Sequence, residues 1–401
     1  MHRVPEDRDI EPESMAGIGA ASYLTLADSP MTDGIAVDEA VSMMLAINGK
    51  FTSQRLTGVQ RVARELTTAL VRLLPTQAMP LLLVPRDHRA AEMPPAAGRR
   101  EVSRRRGLTW EQLALPFAAR RHLLLSLCNL GPLFKRRQVL MIHDAAVFDL
   151  PQGYSLKFRL WYRFAFYLLK YNVRHILTVS AFSRARIAER LDISPERISV
   201  IRPGADHLDQ IDSDTSILPR LGLAHDGFIL IVGSLAPGKN LAGVLEALAL
   251  LERTRGDLRF VIAGGQNVSV FGANLRAEQT PAKNIIWAGY VSDNELKALY
   301  EHAACFVFPS LYEGFGLPPL EAMYCGCPVI VSDEASLPEI CGEAAVYCNA
   351  HSAGDIAAKI SHLMNDMALR ERMRIKGRAH AQQFRWSRAA AELLRVLRGI
   401  E

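Results

Sequence analysis

The chain has 401 residues, of which 49% are hydrophobic and 22% charged, and carries a formal net charge of +5. That length suits roughly two domains rather than one small module. No apolar run approaches the ~20 residues of a membrane-spanning helix, and six unevenly spaced cysteines do not suggest a disulfide framework.

In chain order, residues 1–41 mix charge, Pro, Gly and Ser without helical or strand period and read as a poorly ordered extension. Its acidic start lacks the basic and apolar regions of a secretory signal, so cytoplasmic residence is expected. The pair Gly17 and Gly19 follows no convincing strand and opens no helix, and is set aside as a nucleotide fingerprint.

From Met43 the pattern becomes strand, polar loop and helix, the helix having its period over 59–74. Further strands are expected at 81–84, 122–126, 139–143, 175–179 and 200–202, separated by helical or loop stretches, which implies a largely parallel sheet. Between Arg99 and Arg137, ten Lys or Arg stand against Glu101 and Glu111, a segment that prefers an anionic neighbour.

Pro203-Gly204 and the polar run 206–216 interrupt the series, and the interdomain linker is placed there. A second series follows at 228–233, 258–263, 285–287, 305–308 and 329–331, again interleaved with helices. The expected fold class is therefore α/β, with two doubly wound domains whose strand ends face one cleft. The expected division is an extension over 1–41, domains over 42–207 and 208–384, and a final helix over 385–401 that returns to the first domain.

The most informative stretch is Pro309-Ser-Leu-Tyr-Glu-Gly-Phe-Gly-Leu-Pro-Pro-Leu-Glu321, a loop after a strand that runs into a helix beginning near Pro318 or Pro319. Backbone amides at Gly314, Phe315 and Gly316, with Leu317 following, suit a phosphate at a helix N-terminus. Glu321 is suited to a ribose diol, or simply to its own helix dipole; spacing alone leaves both open.

Glu313 and Glu321, separated by seven residues within E-G-F-G-L-P-P-L-E-A and followed by G-C-P-V-I-V-S, resemble the signature of glycosyltransferase family 4. The resemblance extends to Val232-Gly-Ser-Leu-Ala-Pro-Gly-Lys-Asn240, Val261-Ile-Ala-Gly-Gly265, Gly289-Tyr-Val-Ser292 and Phe384-Arg-Trp386, so it spans nearly the whole second half.

This resemblance implies a GT-B architecture and retaining transfer from a nucleotide diphosphate sugar, with front-face attack assisted by a donor phosphate oxygen. It implies that Lys239 grips the diphosphate, that Glu313 orients the sugar, and that Gly58, Ser234, Gly265, Tyr290 and Glu321 belong to the donor site. His143, in Val-Leu-Met-Ile-His-Asp, resembles the family histidine that contacts the sugar, and Asp144 is left as an acceptor-side group. Ser180 resembles a serine that opens a helix and caps it. Where the family often has an arginine, this chain has Ser234 and Gly238, so the diphosphate relies on backbone amides or on an arginine from elsewhere.

No catalytic metal or other cofactor is expected: Asp212-x-Asp214 sits in the linker, and the Cys325, Cys327 pair has no partner pair at zinc spacing. Gly233, Gly238 and Lys239 reproduce P-loop spacing, but Asn240 stands where the magnesium-binding Ser or Thr would be.

The stretch 154–171 interleaves Trp161, four Tyr and three Phe with Lys157, Arg159, Arg163 and Lys170. It reads either as a helix packed on the sheet or as a surface for anionic lipid headgroups. A lipid-linked saccharide acceptor at the cytoplasmic face of a bacterial inner membrane, in surface polysaccharide assembly, accommodates the second reading. The preferred donor is GDP-mannose; no nucleic-acid partner is expected. The alternatives are a nucleotide-sugar epimerase and a non-catalytic nucleotide-sugar-binding protein.

Overall fold

The computed structural model describes residues 44–89, 94, 98–233, 236–264 and 284–400. The 1–41 extension with Gly17 and Gly19, the Met43 strand start, and Ser234 and Gly265 lie outside the described residues.

Among the described residues, thirteen strands form two parallel sheets. The first comprises β1 (Leu45–Asn48), β2 (Leu81–Val84), β3 (Gly98–Glu101), β4 (Leu123–Ser126), β5 (Gln138–Met141), β6 (His175–Thr178) and β7 (Ile198–Val200), in the order β3-β2-β1-β4-β5-β6-β7. The second comprises β8 (Phe228–Val232), β9 (Arg259–Ala263), β10 (Ile285–Gly289), β11 (Cys305–Phe308), β12 (Val329–Ser332) and β13 (Val346–Cys348), in the order β10-β9-β8-β11-β12-β13. Both sheets reverse direction beside their first strand, and the crevice at such a switch point is where open α/β sheets bind ligands.

The described helices of eight residues or more are α1 (Gly58–Leu73), α2 (Leu156–Asn172), α3 (Ala181–Leu191), α4 (Leu241–Glu252), α5 (Asp293–His302), α6 (Leu317–Tyr324), α7 (Ala353–Asn365), α8 (Met367–Ala381) and α9 (Trp386–Ile400). The central strands are buried on both faces because helices cover both, which is why they read as continuous apolar runs such as Phe-Ile-Leu-Ile-Val. In the first sheet, Leu45, Ile47, Leu123 and Leu125 face α1 and α9, while Ala46, Leu83 and Leu124 pack on Trp110 and Leu115.

Sequence periodicity misses two edge strands. β3 is Gly-Arg-Arg-Glu with all four residues exposed, and β13 has three residues. The linker is also more ordered than its polarity suggests: Asp206–Gln210 forms a 3-10 turn that buries His207 and Leu208. α9 leaves the second domain and packs on α1; Trp386 N–H donates to Asp206 Oδ1 at 2.8 Å. All six cysteines are free thiols, and burial pushes Cys305, Cys341 and Cys348 up to about 12.

Candidate functional site

At the switch point of the second sheet, β8 ends at Val232 and a 3-10 turn over Pro237–Lys239 leads into α4. Asn240 takes a left-handed φ of 56°, and its amide donates to Pro309 O at 3.1 Å and Ala350 O at 2.6 Å. The Leu311 N–H donates to Gly238 O at 2.8 Å. These bonds join the Lys239 turn to the loop after β11 and give the P-loop's deviant Asn240 a structural use. Lys239 Nζ then lies 2.6 Å from Glu313 Oε1 and 5.0 Å from the Phe308 ring centroid.

The loop carrying Glu313 is held by its carbonyls. Ser336 donates to Glu313 O and Phe315 O, both at 2.9 Å; Ser180 and Ser183, in the first domain, donate to Gly314 O at 2.6 and 3.0 Å. Ser180 also accepts from Ser183 N–H and so caps α3. With the carbonyls occupied, the N–H groups of Gly314, Phe315, Gly316 and Leu317 donate to no protein group among the described residues. These orphan amides at the start of α6 form an anion-binding corner.

Gly314 must be glycine for space: a Cβ there would stand 2.6 Å from His143 O and 3.0 Å from Asp144 Cβ. The two domains thus meet backbone to backbone where this loop faces the chain just beyond β5. Tyr312 reinforces the contact by donating its hydroxyl to Asp149 Oδ2 at 3.0 Å, while Arg186 and Arg190 hold the same carboxylate.

On the first-domain side, His143 is buried and its Nε2 donates to Leu127 O at 2.8 Å. Burial pushes its pKa down to about 4, so the ring is neutral and Nδ1 is the unprotonated nitrogen. Burial also raises Asp144, with Glu313 adding like charge, although the Ala146 N–H donates to its Oδ1 at 2.9 Å.

Beyond the Lys239–Glu313 pair lies a cavity of about 300 Å³, lined among others by Gly58, Lys239, Tyr290, Leu317, Pro318 and Glu321. Arg55 stacks over the Tyr290 ring at 4.3 Å. Gly264 also lines this space; a Cβ on it would sit 1.9 Å from Gly233 O, so only glycine lets the ends of β8 and β9 approach. Because α6 begins at Leu317 rather than at Pro318 or Pro319, Glu321 sits at the start of its second turn, one or two residues deeper than expected, and is 6% exposed.

The structure therefore brings Gly58, Lys239, Tyr290, Leu317 and Glu321 to one cavity, with Glu313, Gly314 and Gly316 beside it. It separates Phe315: that ring is buried edge-on against Phe384, with centroids 6.1 Å apart, leaving only its backbone for a ligand. Asp212 and Asp214 are tied to Asn294 through their backbones and do not line the cavity.

Sequence reasoning placed Arg61 only as the end of the Thr57-Gly58-Val59-Gln60-Arg61 loop, which resembles the family's glycine loop, and gave no role to Arg55, His207 or Asp293. Arg61 Nη2 is 2.5 Å from Asp293 Oδ1, its Nε is 3.7 Å from Glu321 Oε1, and His207 Nε2 stands 3.2 Å from that same oxygen. The available signal was a charged residue ending the Thr57-Gly-Val-Gln-Arg61 loop; nothing local marks His207.

Residues 218–380 match the family model described as glycosyl transferases group 1. The chain is 34% identical over 265 residues to O-antigen chain mannosyltransferase B of Escherichia coli, covering 64% of this chain and 69% of that protein. It is 30% identical over 230 residues to the serotype-specific mannosyltransferase WbdA of Escherichia coli, covering 54% of this chain but 27% of that one. Among solved structures, Anabaena Alr3699/HepE in complex with UDP and glucose superposes with a TM-score of 0.67 at 15% identity, over 88% of this chain and 99% of that one. WaaG, a glycosyltransferase involved in lipopolysaccharide biosynthesis, gives 0.65 at 15% identity with the same coverage. With its two parallel-sheet domains, its match to the family model and its mannosyltransferase relatives, the chain belongs to the group 1 glycosyltransferases and has the GT-B fold.

Proposed function

We propose that this chain is a retaining hexosyltransferase that moves mannose from GDP-mannose to a saccharide or lipid-linked saccharide acceptor in bacterial surface polysaccharide assembly. The observation that carries the reading is the Lys239–Glu313 pair, set between the orphan amides at the start of α6 and the His143-Asp144 strand end. Lys239 and the amides offer positive potential to a departing diphosphate. Glu313 orients the sugar and stabilises positive charge at its anomeric carbon, and Glu321 accepts from the ribose. Attack proceeds on the face the diphosphate leaves, with a donor phosphate oxygen helping to take the acceptor hydroxyl proton. The reading uses no resident metal or cofactor.

The O-antigen mannosyltransferases among the relatives support the sugar and the pathway class, and they favour transfer over epimerisation or silent binding. Calorimetric titration of the wild type and Glu321→Ala with GDP, UDP and ADP, followed by donor turnover with lipid extract, tests it. Selective GDP binding weakened by the substitution, with acceptor-dependent turnover, is expected; binding of no diphosphate overturns the donor site.

The acceptor reading includes peripheral contact with an anionic membrane at its cytoplasmic face. What supports this is the outer face of α2, where Leu156, Leu160, Phe164, Tyr167 and Tyr171 recur at helical spacing, each more than half exposed, beside Lys157, Arg159 and Arg163. Its inner face packs Phe166 and Leu169 into the core, as the first reading of its sequence expects, and leaves the outer face for the second. No helix among the described residues is long and apolar enough to cross a membrane.

A further inference from the structure

Arg61 projects from the first turn of α1, in the first domain, into the cavity that both domains line. It is 9% exposed. Nη2 and Nε approach Asp293 and Glu321, but Nη1 is buried without any hydrogen-bond partner. A buried guanidinium with an idle donor is costly unless something outside the protein completes it.

The neighbouring carboxylate is held from the other side. Trp386 Nε1, which is a donor only, gives its hydrogen to His207 Nδ1 at 3.2 Å. The ring proton of His207 must then reside on Nε2, the nitrogen that stands 3.2 Å from Glu321 Oε1 but is not aligned for a formed hydrogen bond. Glu321, acceptor-only, and Arg61, donor-only, thus stand side by side in the cavity with capacity to spare.

A hydroxyl satisfies both, since it donates one hydrogen and accepts through its lone pairs. A phosphate would satisfy Arg61 but repel Glu321, and an apolar group would satisfy neither. We propose that Arg61 is a ribose-recognising residue supplied across the cleft: its Nη1 donates to a hydroxyl of the donor nucleotide's ribose, which in turn donates to Glu321. The donor site then draws on both domains, Arg61 coming from the first and Glu321 from the second. This rests on the donor-site reading above.

The test is a set of calorimetric titrations with GDP, UDP and ADP, then with the 2′-deoxy and 3′-deoxy analogues of the one that binds. These are run on wild type, Arg61→Met and Arg61→Lys, with thermal melting of each protein. Loss of one charge-assisted hydrogen bond is expected to weaken ribonucleotide binding about tenfold or more in Arg61→Met. Binding of at least one deoxy analogue should change less than about threefold, so that discrimination between the two collapses. Arg61→Lys keeps a cation for Asp293 but not the guanidinium fork; it should retain thermal stability while losing the same discrimination, and it carries the test if Arg61→Met does not fold.

An equal loss for ribo and deoxy nucleotides assigns Arg61 to holding the domains together and overturns the proposal. So does unchanged binding in both variants. Wild-type protein that binds no diphosphate at all fails earlier, at the donor reading itself.

Discussion

Gly314 and His143, 171 positions apart in the chain, meet so closely that a Cβ on the glycine would lie 2.6 Å from the histidine's carbonyl oxygen. The contact joins the loop carrying Glu313 to the strand end carrying Asp144, so the spacing of these two segments depends on one missing methyl group. Gly314→Ala is expected to hold the cleft ajar and reduce kcat/KM about a hundredfold, since a displacement near 1 Å at reacting groups has that order of effect. Steady-state kinetics beside an unchanged melting temperature for each domain checks this.

Lys239→Ala removes the cation that the proposed function sets against the leaving group and leaves the Glu313 carboxylate, 12% exposed, without its partner. A fall in kcat of about 10²–10³ is expected, the scale seen when one preorganised charge-stabilising donor is lost. Glu313→Gln should still bind nucleoside diphosphate but lose transfer; calorimetry and turnover on the same preparations separate the two.

His143 contributes a pH dependence of stability with a definite sign. Burial depresses its pKa from 6.5 to about 4, so between those values the unfolded chain binds the additional proton. Stability from this group is fully present above about pH 6.5 and is lost as pH falls toward 4, at most about 3 kcal/mol. Denaturant unfolding of wild type and His143→Gln at pH 7 and pH 5 should show the wild type losing more stability on acidification; equal losses refute the assignment.

The outer face of α2 predicts salt-sensitive lipid binding. Wild-type protein should co-sediment with vesicles containing phosphatidylglycerol at low salt and be released as salt rises. Leu160→Asp with Phe164→Asp, both exposed and so tolerable to the fold, should abolish sedimentation. Binding that persists in this variant removes α2 from the interface, and self-association of the wild type without vesicles would assign the stripe to a second copy.

Asn240→Ala should cost about 2 kcal/mol, because it removes two hydrogen bonds to loop carbonyls at a residue in the left-handed region. Asn240→Ser should not introduce ATP hydrolysis, since the Leu311 N–H still ties Gly238 O to the loop after β11 and Lys239 stays paired with Glu313. Urea unfolding and an ATPase assay check the two parts.

The sequence by itself determined the local elements and the motif loops. Apolar runs such as Phe228–Val232 and Cys305–Phe308 read as buried strands because helices cover both faces, and the Glu313 to Glu321 stretch read as a loop entering a helix because Gly and Pro punctuate it. The edge strand β3 escaped because Gly-Arg-Arg-Glu becomes a strand only by pairing with β2, and β13 escaped because three residues carry too little period. Only the tertiary structure decided that Arg61, from one domain, and His207, from a segment read as linker, converge on Glu321, and that the Phe315 ring faces the core. Periodicity and turn chemistry are properties of neighbours along the chain. Which side chains meet across a cleft depends on strand order, helix packing and the seating of one domain on the other, contacts that no local window contains.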